Sequence, residues 1–142
     1  MTRFLLALLA LVALAAAPRG VHAQDFKVIV NSANATDELS ADQAAKLFLK
    51  QATKFPSGAA ATPVDQAKGA AVRAAFSKAV LGKSVAAVET YWQQQIFSGK
   101  DVPPSTKPSD DDVIAFVKGN AGAIGYVSAG AAVAGVKVVG IR

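Results

Sequence analysis

Four short β-rich runs alternate with four stretches whose apolar residues recur at helical spacing, and this alternation constrains the fold more than any single motif. Phe26 to Val30, Thr62-Pro63-Val64, Ala123 to Val127 and Val136 to Ile141 predict strands; Pro63 stands near the start of its run, where a missing N–H is tolerable. Asn31 to Glu38 is polar and reads as a loop. Ser40 followed by Gln43 has capping-box spacing, and Ala44, Leu47 and Phe48 supply the stripe of a first helix. Val72, Ala75, Phe76, Ala79 and Val80 form the clearest helical period, stopped by Gly82. Ser84 caps a third helix with the stripe Val85, Val88, Trp92 and Ile96, closed by Ser98-Gly99. Ser109 opens a fourth, with Val113, Ile114 and Val117 inward. The order β-α-β-α-α-α-β-β puts helices between strands, which requires crossovers and a sheet covered on its faces, hence an α/β fold with the sheet flanked by helices.

The start of the 142-residue chain is of a different kind. Arg3 precedes 14 consecutive apolar residues, Phe4 to Ala17; Pro18-Arg19-Gly20 then breaks the run before Val21-His22-Ala23. A spanning helix needs about 20 apolar residues, so the expectation is a signal peptide over 1–23, cleaved after Ala23, and one domain over 24–142. No Cys follows the run to carry a lipid, and the expected product is exported and periplasmic.

The leading segment also holds Arg3, Arg19 and the sole His, His22, but no acid. That leaves thirteen basic against ten acidic residues, a net +3, with neither His nor Cys beyond it. Cys and His nucleophiles, Ser-His-Asp triads, His/Cys zinc sites, thiol redox chemistry and disulfides are thereby excluded, and the chain reads as non-enzymatic, with no cofactor required. Lys46, Lys50 and Lys54 recur at helical spacing without interleaved aromatics, which describes a solvated helix face rather than a nucleic-acid surface.

Three local features remain. Asp110-Asp111-Asp112 stands at a helix start, where negative charge meets the dipole favourably; adjacent helical acids point about 100° apart and do not converge on one metal ion. Tyr91-Trp92 and Phe97 read as core aromatics, Trp92 being on the stripe turned to the sheet. The segment Asp65-Gln66-Ala67-Lys68-Gly69-Ala70 leads into the second helix, whose free amides favour anions, with Lys68 and Arg73 adding positive charge. Gln66, Lys68, Gly69, Ala70 and Arg73 are therefore the oxyanion candidates; the same features also describe an ordinary helix start with solvated basic side chains.

Lys54 to Gly58, Pro63 to Gln66, Arg73, Phe76, Tyr91-Trp92, Phe97-Ser98-Gly99, Pro103-Pro104 and Gly122 to Val127 together resemble short, single-lobe relatives of the phosphate-binding proteins of ABC transporters. The resemblance implies one lobe of the periplasmic-binding-protein-like (type II) fold. Full-length relatives clamp phosphate between two lobes with an Arg and a Ser-Gly-Thr motif at a helix N-terminus. Counting back from Phe76 puts Gln66 at the Arg position and Ala70-Ala71-Val72 at Ser-Gly-Thr, so the guanidinium and both hydroxyls are replaced. The resemblance thus implies phosphate or another small oxyanion as a weakly held ligand, and a membrane transporter as partner. The alternative is an interaction module that has lost its ligand and docks on another periplasmic protein, or on a second copy as a weak homodimer.

Overall fold

The computed structural model describes residues 25–142; the leading segment, with the expected cleavage after Ala23, lies outside them. The elements run β1 (Phe26–Asn31), β2 (Glu38–Leu39), α1 (Ala41–Phe48), β3 (Thr62–Gln66), α2 (Ala71–Phe76), α3 (Val85–Phe97), β4 (Ser105–Lys107), α4 (Asp110–Gly119), β5 (Ala123–Ser128) and β6 (Val136–Ile141). The strands form one six-stranded sheet in the order β2-β6-β1-β5-β3-β4. β1 runs antiparallel to β5 and β6, while β2 is parallel to β6 and β3 is parallel to both β5 and β4. Five strands therefore share one direction, as expected where helices make the connections.

Side-chain alternation along the central strands splits the core into two layers. Val28, Val30, Ile124 and Tyr126 face α1 and α2, meeting Leu47, Phe48, Val72 and Phe76. Ile29, Ala123 and Val127 face α4 and meet Val113, Ile114 and Val117. The sheet is covered on both faces, which confirms the α/β expectation. The predicted helix starts are also present: Ser40 and Gln43 exchange both capping-box hydrogen bonds, and the Ser84 and Ser109 side chains accept from Ala87 N and Asp112 N.

Four local expectations need correction. β2 and β4 were not expected, since Glu38 ends the polar loop with only Leu39 between it and the Ser40 cap, and Ser105–Lys107 is short and polar. Both are sheet edges of two or three residues, and their extended form is imposed by the neighbouring strand, not by local preference. The second helix is α-helical only to Phe76; Ser77–Leu81 is a π turn, ended by Gly82 at φ 64°. The wider turn rotates the stripe, so Ser77 is buried and Ala79 exposed, while Val72, Phe76 and Val80 keep their inward places. In α3, only Val88 and Trp92 are buried; Ile96 is 53% and Phe97 92% exposed. α3 lies against the π turn instead of on the sheet, so its last turn runs beyond the layer that would cover it.

Gly125 shows how closely the second layer is packed. A Cβ there would lie 2.7 Å from methyl groups of both Val64 and Val113, which join β3 and α4 over this point of β5. Gly125→Ala is expected to destabilise the fold by about 1–3 kcal/mol, the usual cost of forcing volume into a filled core. Chemical denaturation checks it, and an unchanged midpoint would mean the α4 layer is looser than these distances require.

Candidate functional site

Beyond Pro63 the paired backbones of β3 and β5 no longer form a ladder: only Thr62–Ala123 and Pro63–Ile124 are in register. Side chains take over that role. Tyr126 reaches from β5 and donates its hydroxyl to Asp65 Oδ1. The Gln66 N–H is shared between Asp65 Oδ1 at 2.9 Å and Tyr126 Oη at 3.2 Å. The Gln66 side-chain amide donates to Tyr126 O at 3.0 Å and Asp110 Oδ1 at 2.6 Å, and Asp110 Oδ1 also accepts from Ser128 N at 3.1 Å. Arg73 closes the network from α2, donating to Gln66 O at 3.0 Å with its second nitrogen 3.5 Å from Asp65 Oδ2.

Burial makes these bonds matter. Asp65, Gln66, Arg73 and Tyr126 are each at most 9% exposed, and no buried side-chain polar atom among the described residues lacks a partner. Burial pushes the Tyr126 hydroxyl well above the ordinary phenol range, and the adjacent Asp65 charge pushes it further, so Tyr126 stays a neutral donor. At Asp110 burial alone would raise the carboxyl; hydrogen bonds from Gln66 and Ser128 outweigh it and hold the group below its ordinary value. Asp110, at the first position of α4, thus ties that helix to β3 and β5, while Ser109 Oγ donates to Asp112 Oδ2 at 2.7 Å.

The five oxyanion candidates are divided by this arrangement. Gln66 is 2% exposed, with its side-chain amide spent inward. Gly69 stands in open space, and Ala70 is the residue before α2, offering no side-chain cap. The N–H groups of Arg73 and Ala74 turn back to Ala70 O, so the α2 start has only the Ala71 and Val72 amides outside its own bonds. Lys68 and Arg73 come together on an open cleft of about 290 Å³ with Glu89, Trp92, Ile96 and Pro103. Each cation there already has a carboxylate: Lys68 Nζ is 2.9 Å from Glu89 Oε1, and Arg73 has Asp65.

Sequence reasoning missed the Asp65–Tyr126 bond and the inward role of Gln66. One signal was available: Tyr126 alternates with Ile124 on an inward strand face, and a buried Tyr hydroxyl needs a partner. Tyr126→Phe is expected to cost about 1–3 kcal/mol by leaving Asp65 short of a donor in a buried setting. Because Asp110 is depressed in the fold, its contribution is complete above the unfolded carboxyl range and fades as pH falls through its folded value. Asp110→Asn should flatten the acid limb of stability against pH; an unaltered limb would remove Asp110 from the account.

No protein-family model matches the chain, and no curated protein matches it at a significant level. Solved structures do. A protein from Clostridium perfringens assigned as a phosphate ABC transporter substrate-binding protein, with bound phosphate, is 20% identical with a TM-score of 0.65, over 82% of this chain and 44% of its own. An ABC-type phosphate transport receptor from Vibrio cholerae is 18% identical with a TM-score of 0.63, over 82% and 46%. PstS from Borrelia burgdorferi is 14% identical with a TM-score of 0.65, over 83% and 47%. At these identities the likeness is one of fold. The chain spans less than half the length of these proteins and has the α/β fold of one lobe.

Proposed function

We propose that residues 24–142 form one exported, non-enzymatic domain of solute-binding type, freed by cleavage after Ala23 and working in the periplasm. The observation that carries this reading is the shared fold with phosphate transport receptors over more than four-fifths of the chain. On this reading phosphate or another small oxyanion meets the β3–α2 junction at Gln66, Lys68, Gly69, Ala70 and Arg73, and a membrane transporter or another periplasmic protein receives the module. Affinity is low for a physical reason. A dehydrated dianion needs paired, directed donors, and here Gln66 and Arg73 are engaged within the fold while Ala70 and Val72 bring no hydroxyl.

A second reading, an interaction module without a ligand, is favoured by one surface feature. Ile96, Phe97 and Val102 are all more than half exposed beside the end of α3, and large apolar side chains grouped at a surface mark a contact with a partner or with a second copy.

Calorimetric titration with inorganic phosphate at low salt separates the two. The expected result is millimolar binding. A dissociation constant below about 1 μM, or about −8 kcal/mol, would make the protein a true phosphate receptor and overturn the low affinity argued here. No heat at all, with a defined protein recovered by crosslinking in cells, would favour the interaction module.

A further inference from the structure

The cleft beside the buried network has two kinds of wall. Trp92, Ile96 and Pro103 bring apolar surface to its lining, together with the polar Gln93 and Thr106. Trp92 itself is 5% exposed and so forms a fixed part of that lining.

The other wall is charged but balanced. Lys68 faces Glu89 at 2.9 Å, and Arg73 faces Asp65 at 3.5 Å, so two cations meet two carboxylates. Inorganic phosphate, a mixture of monoanion and dianion at neutral pH, would reach Lys68 only by lying against the Glu89 carboxylate. A neutral ligand would leave the Lys68–Glu89 pair intact and gain nothing from it. A ligand carrying both signs answers both halves of that pair.

We propose that this cleft takes a small zwitterion with a hydrocarbon side chain, the chemistry of an apolar α-amino acid, in preference to inorganic phosphate. Its carboxylate meets Lys68 Nζ, its ammonium meets Glu89, and its side chain lies against Trp92, Ile96 and Pro103. Arg73 stays with Asp65 and Gln66 beneath. The proposal rests on the solute-binding reading of the lobe and names the ligand class for the cleft that Lys68 and Arg73 share. A cleft of about 290 Å³, with an apolar wall and a few convergent polar groups, is near the lower end of the size range of small-molecule sites.

Trp92 is the only tryptophan in the chain, so its fluorescence reports this cleft directly. L-leucine, N-acetyl-L-leucine and inorganic phosphate are titrated against the purified protein. Leucine should give a saturable change at a concentration about tenfold or more below that needed for the other two. Glu89→Gln should weaken leucine at least about tenfold and leave N-acetyl-leucine no weaker, because only the ammonium contact is lost. Lys68→Met should weaken both. Lys68 and Glu89 are not core residues, so both variants should keep their melting temperature, which is measured alongside. Phosphate saturating at lower concentration than leucine would overturn the proposal while upholding the oxyanion reading. Silence from all three ligands in fluorescence and melting would overturn both. Leucine binding that survives Glu89→Gln and Lys68→Met unchanged would overturn the zwitterion pairing alone.

Discussion

The bond between the Tyr126 hydroxyl and the Asp65 carboxylate holds together the part of the sheet where backbone pairing stops. Pro63 offers no N–H, and past it β3 has no ladder to β5, only to β4. A sheet that opens in its interior exposes backbone polar groups to a dry environment, each costing on the order of 1–3 kcal/mol when unmet. Asp65, Gln66 and Asp110 meet those groups: Gln66 N, Tyr126 O and Ser128 N all have side-chain partners. The network is complete, and completeness decides its sign, since a half-satisfied buried network would be worse than an apolar one.

The same tyrosine joins the polar network to the apolar core. Its ring stacks on Phe76 with centroids 4.0 Å apart and planes 7° from parallel, and Phe76 meets Phe48 and Phe26 edge-on. One residue on β5 therefore fixes α1, α2 and the end of β3 at once. Arg73 lies one turn before Phe76 on α2 and reaches Gln66 O and Asp65, so the helix is held by its guanidinium on one side and its aromatic ring on the other. By contrast α3 leans on the π turn and has only Val88 and Trp92 buried. Stability is thus concentrated around Tyr126 and thins towards the Ile96–Val102 surface.

Much of the fold was legible because it is written locally. The Ser40–Gln43 box, the Ser84 and Ser109 caps and the stripes Ala44-Leu47-Phe48 and Val113-Ile114-Val117 depend on residues three or four apart, and all stand where the spacing placed them. What escaped depends on distant neighbours. Glu38-Leu39 is extended because β6 lies beside it, and Ser105–Lys107 because β3 does. Ile96 fits the α3 period but reaches past the layer that would bury it. Asp65 and Tyr126 are 61 residues apart and meet only because three helices and a short strand bring β5 back beside β3, a closure that no local spacing records. The Gln66 to Arg73 segment was recognisable as the place where charge gathers; that Gln66 and Arg73 turn inward was not.

That inward turn closes the β3–α2 junction without altering the fold around it. In a lobe built to hold an anion, donors at the β3–α2 junction must stay unpaired until the ligand arrives, and the fold carries their cost. Here the junction is closed upon itself: Arg73 answers Asp65, Gln66 answers Asp110, and the lobe is stabilised by the groups an anion would otherwise recruit. What lines the neighbouring cleft is Lys68 and Glu89, a pair of opposite charges, with Trp92, Ile96 and Pro103. When the strong donors are folded into the core, a bare anion finds fewer directed partners there, which is the physical basis of the ligand class proposed above.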